Sequence, residues 1–195
     1  KGIETLLNAR VDGIMVSMAK EKNDYTHFLN AKQAKMPLVF FDRSADELEI
    51  DSVLIDDHRG GYLATKHLIE QGYKRIAHIS GPQHLKIFKA RLTGYKAALK
   101  DNGISFDSKL VFNGDVSIDA GRNAIQYFLK LSNPPDAVFA VEDFTALGAL
   151  KELKHNHIAI PEDFGVIGFA NEAFGEHITP SLSTIDQQTV NMGKE

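Results

Sequence analysis

The sequence has no cysteine among its 195 residues. Disulfide bonds and metal sites built on thiolates are therefore excluded, while the redox compartment is left open. No apolar run approaches the roughly 18 residues that a membrane-spanning helix needs. The formal net charge is −4. Because nonspecific affinity for nucleic acid comes from clustered Lys and Arg, this segment is not expected to grip a phosphate backbone, and any contact with DNA must lie elsewhere.

Recognisable catalytic motifs are also missing. There is no G-x-S-x-G elbow, no Walker loop ending in Gly-Lys-Ser/Thr, and no G-x-G-x-x-G after a strand. The eight histidines are scattered, and ordinary helix or strand positions explain them. We therefore predict no catalytic residue, no metal site and no cofactor.

Strand and helix patterns alternate along the chain. With 43% hydrophobic and 25% charged residues, the composition suits a soluble globular protein large enough for two small lobes. The alternation predicts an α/β fold with parallel sheets, right-handed crossovers and helices on both faces. The predicted strands lie near 11–16, 37–41, 52–56, 74–80, 110–113, 136–141 and 165–169, and the clearest helices are 58–71, 86–101, 118–131 and 143–155.

The segment 53–82 is the most informative one, because its apolar spacing changes from strand to helix and back to strand. A short apolar run ends in Asp56 and Asp57, and the helix that follows ends at Gly72. Paired acids after a strand also suggest a phospho-acceptor or a Mg²⁺ site, but nothing else follows the order of a receiver domain. We predict that Asp57 caps the helix beginning near His58 and that Asp56 faces a ligand.

The same segment carries three motifs in order: DDHRGG at 56–61, HL at 67–68 followed by GY at 72–73, and SGP at 80–82. Six further motifs occur in one order along the chain. Together they resemble the ligand-binding core of the lactose-repressor (LacI/GalR) family of bacterial transcription regulators. These motifs are RVDGIMVS from Arg10, MPLVFFDR from Met36, RLTGYKAAL from Arg91, PDAVFAVEDFTALGAL from Pro135, IPEDFGVIGFANE from Ile160 and TPSLSTIDQ from Thr179.

The resemblance implies the type I fold of periplasmic binding proteins, with two α/β lobes and a ligand held between them. Residues 1–72 would form the amino-terminal lobe, residues 73–185 the carboxyl-terminal lobe, and residues 186–195 a truncated return to the first lobe. The amino-terminal lobe would lack its first strands, and a DNA-binding headpiece would precede it outside this chain. We therefore expect these residues to be part of a longer protein.

Candidate ligand-binding residues lie just past the predicted strand ends, where a doubly wound sheet binds its ligands. Arg91 matches the arginine that family members use to hold polar ligand atoms; the alternative is a surface arginine at a helix start. Most members carry Asp at the position of Ala170, so a different ligand pose, a different ligand class or weakened binding is implied. Glu142, where Asn is more usual, would supply some of the missing acceptor capacity. Leu85, Ile87 and Phe88 would make the rim apolar; the alternative is that Ile87 or Phe88 packs against the next helix. The complete predicted set is Ser17, Met18, Asp42, Arg43, Asp56, Leu85, Ile87, Arg91, Val116, Glu142 and Ala170.

The family resemblance implies a cytoplasmic, non-enzymatic domain that binds a small-molecule effector, a sugar or sugar derivative, and forms a homodimer. Operator DNA would be bound through the headpiece, and no membrane would be involved. Effector binding would bias the relative rotation of the lobes and so change operator affinity. Two alternatives remain open: a periplasmic sugar-binding protein of a transporter, and a nucleotide or sugar-phosphate enzyme on a doubly wound sheet.

Overall fold

The computed structural model describes residues 2–19 and 24–195, and within them eight strands form two parallel sheets. All strand pairs are parallel, as predicted. Within the same ranges, no helix is both long enough and apolar enough to cross a lipid bilayer. The strands are β1 (Ile14–Val16), β2 (Leu38–Phe41), β3 (Ser52–Val53), β4 (Ile76–Ser80), β5 (Val111–Asn113), β6 (Ala137–Ala140), β7 (Gly165–Ala170) and β8 (Ser183–Asp186).

Helices follow most of these strands. The four helices predicted most clearly are α3 to α6, and each begins within one residue of its predicted start. The α-helices are α1 (Gly2–Asn8), α2 (Thr26–Gln33), α3 (Asp57–Glu70), α4 (Lys86–Asp101), α5 (Ile118–Leu129), α6 (Asp143–His155) and α7 (Thr189–Met192), with short 3-10 helices at Asp46–Leu48, Ser108–Leu110 and Ala173–Glu176.

The chain forms two compact units. The first unit comprises residues 1–55 and 188–195 and contains the sheet β1-β2-β3. Its core joins apolar residues from the sheet to those from the helices, including Ile14, Phe28 and Phe40. Burial of such side chains stabilises a sheet of only three short strands that would be marginal by itself.

The second unit, residues 56–187, contains the sheet β5-β4-β6-β7-β8. Every residue of β4 and β6 is buried, as expected for central strands of a sheet covered on both faces. Because side chains alternate along a strand, Ala77 and Ile79 share a core with α5 and α6, whereas His78 stacks on Tyr95 of α4. The predicted two-faced arrangement is therefore confirmed for this unit.

The boundary between the units differs from the predicted one. The sequence placed residues up to 72 in the first lobe, but α3 belongs to the second unit, which begins at residue 56. The cause is a close crossing of α3 and α4: a Cβ on Gly61 would meet the backbone of Arg91, and one on Gly94 would meet the backbone of His58. This close backbone contact packs α3 against α4 within the second unit.

His78 of β4 is a fully buried histidine in the second unit. Its ring stacks between those of Tyr95 and Phe139, with centroid distances of 5.2 and 4.7 Å. The Nδ1 atom donates a hydrogen bond to the carbonyl oxygen of Phe139 at 2.9 Å, and among the described residues Nε2 has no hydrogen-bond partner. Burial lowers the pKa of His78 to about 3, and the charges of Arg91 and Lys96 act in the same direction. His78 is therefore neutral in the folded protein.

We expect acid to destabilise the second unit through His78. The unfolded chain takes up this proton near pH 6.5, whereas the folded protein does so only near pH 3. The neutral His78 therefore makes its full contribution to the free energy of unfolding above pH 6.5. This contribution, about 4–5 kcal/mol in total, is lost as the pH falls towards 3. Urea denaturation at a series of pH values measures it. His78→Asn keeps a donor for the Phe139 carbonyl and should flatten the dependence of the free energy of unfolding on pH.

Candidate functional site

The carboxyl ends of β1 and β2 bring three predicted residues together in the first unit. Ser17 follows β1, and Asp42 and Arg43 follow β2. The Ser17 hydroxyl donates to Asp42 Oδ2 at 3.2 Å, and Arg43 Nε donates to Ser17 Oγ at 3.1 Å. Arg43 Nε also lies 3.2 Å from Asp42 Oδ2, which makes an ion pair of partly exposed groups. The structure therefore assembles a polar cluster of donors and acceptors at this sheet edge.

The backbone at Asp42 holds this cluster in an uncommon conformation. Asp42 has φ +61°, and the Arg43 amide donates to the Phe41 carbonyl at 2.6 Å. A hydrogen bond between residues two apart closes a γ-turn, and the form with positive φ is rare and strained. Backbone strain of this kind persists where the surroundings enforce it, and it concentrates at functional sites. Asp42 thus occupies a strained backbone conformation at the end of β2.

Met18 is buried in the first unit, and its role in ligand binding stays a prediction. Its side chain is 6% exposed and packs in the core of the first unit, near Ile14 and Phe28. The backbone amide of Met18 donates to the carbonyl of Arg43 at 3.2 Å. Because side chains alternate along an extended segment, Ser17 and Met18 point to opposite sides, and only Ser17 joins the polar cluster.

Arg91 lies on α4 in the second unit and is 2% exposed, so the alternative of a surface arginine is wrong. Its Nε donates to Asp57 Oδ1 at 2.8 Å, and its Nη1 donates to the carbonyl oxygen of Val141 at 2.7 Å. The guanidinium carbon lies 3.6 Å from the centre of the Phe169 ring. Arg91 thus links α3, α4 and the ends of β6 and β7. Its role in holding a ligand stays a prediction.

The prediction that Asp57 caps α3 is wrong, and the role of Asp56 towards a ligand stays a prediction. Asp56, not Asp57, caps α3: its Oδ1 accepts a hydrogen bond from the Arg59 amide at 2.8 Å. Asp57 is instead the first residue of the helix, and its buried carboxylate pairs with Arg91. Because one helical step turns the side chain by about 100°, a start one residue earlier than predicted directs Asp57 inward.

Two further predicted residues, Glu142 and Ala170, lie in segments that the buried carboxylate of Asp143 connects. Asp143 accepts hydrogen bonds from Thr184 Oγ1 at 2.6 Å and from the Glu172 amide at 2.8 Å. It thereby ties the start of α6 to β8 and to the turn after β7. Half-buried Glu142 directly precedes it at the N-cap position of α6. Ala170 ends β7 with φ +134°, a conformation that favours glycine.

The remaining predicted residues, Leu85, Ile87 and Val116, lie shortly after β4 and β5. Leu85 and Ile87, at the start of α4, are half-buried. Their neighbour Phe88 is buried against Gly81, where a Cβ would approach its ring to 2.6 Å. Val116 is half-buried in the loop before α5, whose N-cap is Ser117. Leu85, Ile87 and Val116 stay predictions as ligand-binding residues, since nothing in their contacts selects a ligand.

The partnership of Arg91 with Asp57 was the main feature that the sequence did not reveal. The two residues lie 34 positions apart, so no helical or strand periodicity connects them. Within residues 2–19 and 24–195, no group of three or more His, Asp or Glu side chains is placed to hold a metal ion. The carboxyl edge of each sheet instead carries an arginine paired with a carboxylate, and both groups can form hydrogen bonds.

Comparison with known proteins identifies the family of this chain. The family model described as periplasmic binding protein-like domain matches residues 65–195. Among curated proteins, the HTH-type transcriptional repressor CytR of Escherichia coli (strain K12) is 35% identical over 193 residues. The match covers 99% of this chain and 56% of CytR, so the chain spans little more than half the length of that relative.

Solved structures agree with this match. The transcription regulator CcpA of Lactococcus lactis superposes with a TM-score of 0.88 at 31% identity, covering 98% of this chain and 69% of CcpA. A sugar-binding transcriptional regulator of the LacI family from Escherichia coli, complexed with phosphate, superposes with a TM-score of 0.85 at 29% identity. The match covers 99% of this chain and 69% of that regulator. These relatives are transcription regulators, in agreement with the prediction of a non-enzymatic domain. The chain therefore belongs to the periplasmic binding protein-like domain family and, within it, to the lactose-repressor (LacI/GalR) family.

Proposed function

We propose that this chain is the effector-binding and dimerisation part of a cytoplasmic, DNA-binding transcription regulator. The effector is a small, hydroxyl-bearing molecule of carbohydrate type. Operator DNA is contacted by a headpiece outside these 195 residues, and a homodimer matches the two-fold symmetry of operator half-sites. Family membership supports the regulator, and the sugar-binding description of one structural relative supports the effector class.

The observation that carries the proposal is the polar cluster at the carboxyl edge of the first unit. Ser17, Asp42 and Arg43 offer hydroxyl, carboxylate and guanidinium groups within 3.1–3.2 Å of one another. Such a set can both donate to and accept from ligand hydroxyls, which is what recognition of a polyol requires. Ligands of parallel α/β sheets bind at this kind of edge.

Regulation follows if the effector binds one of two conformational states more tightly than the other. The same difference in affinity then appears as a change in operator affinity, because coupling between two sites is reciprocal. A ligand at about 100 times its dissociation constant adds roughly 2.7 kcal/mol to the stability of the state that binds it. A thermal-shift screen of sugars and nucleosides can detect this effect.

We expect that a compound raising the melting temperature of the full-length protein also changes its affinity for the operator. The operator is selected from random DNA, and binding is followed by fluorescence anisotropy. Asp42→Asn keeps the shape of the side chain but removes its charge. Since hydrogen bonds to charged groups contribute about 1.5–3 kcal/mol, we expect roughly 10- to 150-fold weaker effector binding.

Asp51→Asn is the matched control, because Asp51 is an exposed aspartate of the same unit that lies just before β3. It should leave effector affinity unchanged. Stabilisation by a ligand with no change in operator binding would contradict the regulatory proposal. Full affinity in Asp42→Asn would instead remove Asp42 from the binding site.

A further inference from the structure

Each arginine at the two candidate edges is paired with a carboxylate. In the first unit, Arg43 Nε lies 3.2 Å from Asp42 Oδ2. In the second unit, Arg91 Nε lies 2.8 Å from Asp57 Oδ1, and the two side chains are only 2% and 9% exposed. The second pair is the stronger one electrostatically, because buried charges are screened little by water or salt.

The loops at the carboxyl edge of the second unit's sheet carry acidic side chains rather than Lys or Arg. The segments that lead into α3 and that connect the strands of the second unit to the following helices contain no Lys or Arg. Lys86 is the first residue of α4, directly after one of them. The carboxylates in these segments are Asp56, Asp115, Glu142 and Glu172.

A paired guanidinium selects ligands differently from an unpaired one. An arginine without a carboxylate partner is well suited to phosphate or carboxylate groups, which it binds through two parallel hydrogen bonds. Where a buried carboxylate already neutralises the arginine, an incoming anion gains little attraction and meets repulsion from that carboxylate. A neutral hydroxyl group meets no such penalty.

From this arrangement we infer that Asp57 restricts the effector to electrically neutral molecules, by cancelling the charge of Arg91. The preferred ligand is an unphosphorylated, hydroxyl-bearing molecule rather than a sugar phosphate or a sugar acid. The inference rests on the proposed effector-binding function and specifies the charge of its ligand. Asp57 is a positioning residue in this scheme, since it acts through Arg91.

Inorganic phosphate is a direct probe of this inference, because it reports the charge at Arg91 without knowledge of the effector. The full-length protein is titrated with phosphate at constant ionic strength while the melting temperature is recorded. Wild type should show no saturable stabilisation. Asp57→Asn should gain saturable phosphate binding at least ~10-fold tighter than any in wild type, which corresponds to about 1.4 kcal/mol.

Two further variants separate charge from structural damage. The double variant Asp57→Asn with Arg91→Gln should lose the gained phosphate binding, since the uncompensated cation is then gone. Asp163→Asn removes an exposed carboxylate at the opposite end of β7 and should behave as wild type. Saturable phosphate binding by wild type, or its absence in a folded Asp57→Asn variant, would overturn the inference.

A second arm needs only the wild-type protein and applies even if Asp57→Asn fails to fold. Matched pairs are compared: ribose with ribose 5-phosphate, glucose with glucose 6-phosphate, and adenosine with its monophosphate. If the protein binds either compound of a pair, it should bind the neutral compound at least ~10-fold more tightly than the phosphorylated one. Tighter binding of a phosphorylated member that also alters operator affinity would refute the charge inference and uphold the proposed function. If no pair binds, the phosphate titration decides alone.

Discussion

Replacing Gly148 by alanine is expected to lower the free energy of unfolding of the second unit by about 3 kcal/mol. Gly148 lies in α6 where this helix crosses α5, and a Cβ there would overlap the carbonyl oxygen of Ile118. The contact is reciprocal, since a Cβ on Gly121 of α5 would overlap the carbonyl oxygen of Thr145. Backbone atoms of two packed helices cannot rotate away as a side chain can, so the helices must separate.

The sign of this effect makes it a sharp test. In a helix without such a contact, glycine to alanine is stabilising by roughly 0.5–1 kcal/mol, because alanine restricts the unfolded chain. Gly2→Ala is the matched control: Gly2 begins α1, and a Cβ added there would meet nothing within 4 Å. Urea denaturation of both variants measures the difference. An unchanged or raised stability in Gly148→Ala would mean that α5 and α6 do not cross this closely.

Arg91→Ala is expected to destabilise the protein even when no ligand is present. Treated as a surface residue, Arg91 would be dispensable for stability. In the structure its removal leaves the buried carboxylate of Asp57 without this charge partner and the Val141 carbonyl without this donor. Removing one partner of a buried pair costs about 3–5 kcal/mol. For a domain of this size the melting temperature should fall by about 10 °C.

A double-mutant cycle shows whether the ion pair is the cause. Asp57→Ala combined with Arg91→Ala removes both charges, so the double variant should be more stable than the sum of the single effects predicts. Arg59→Ala, which removes an exposed arginine from α3, should change stability by less than about 0.5 kcal/mol. A loss in Arg91→Ala no larger than in Arg59→Ala would contradict the buried pair.

The central elements of the fold were predictable because their signals are local. Strands β4 and β6 read as short apolar runs, and α3 and α4 end near glycines with φ of +99° and +71°, Gly72 and Gly103. The resemblance to the family added the expectation that the strands form parallel sheets in two lobes. Strand β8 was missed because its sequence, Ser183–Asp186, has one apolar residue among polar ones and pairs only along one edge, with β7.

The candidate site was less predictable, because its geometry depends on contacts between distant residues. The positions of Ser17, Asp42 and Arg43 followed from where strands end. The inward turn of Asp57 and the burial of Met18 did not, since each depends on which side of an element meets its neighbour. A one-residue difference in the start of α3 was enough to move the cap from Asp57 to Asp56 and to direct Asp57 towards Arg91.

The assignment of α3 to the second unit decides where this polypeptide can be dissected. A truncation at residue 72, the boundary suggested by the sequence, would separate Arg91 from Asp57 and leave Gly94 without the helix that it touches. A truncation before Asp56 retains both partners and the N-cap of α3. For expression of the second unit alone, residues 56–72 look like the end of one lobe but are an indispensable part of the other.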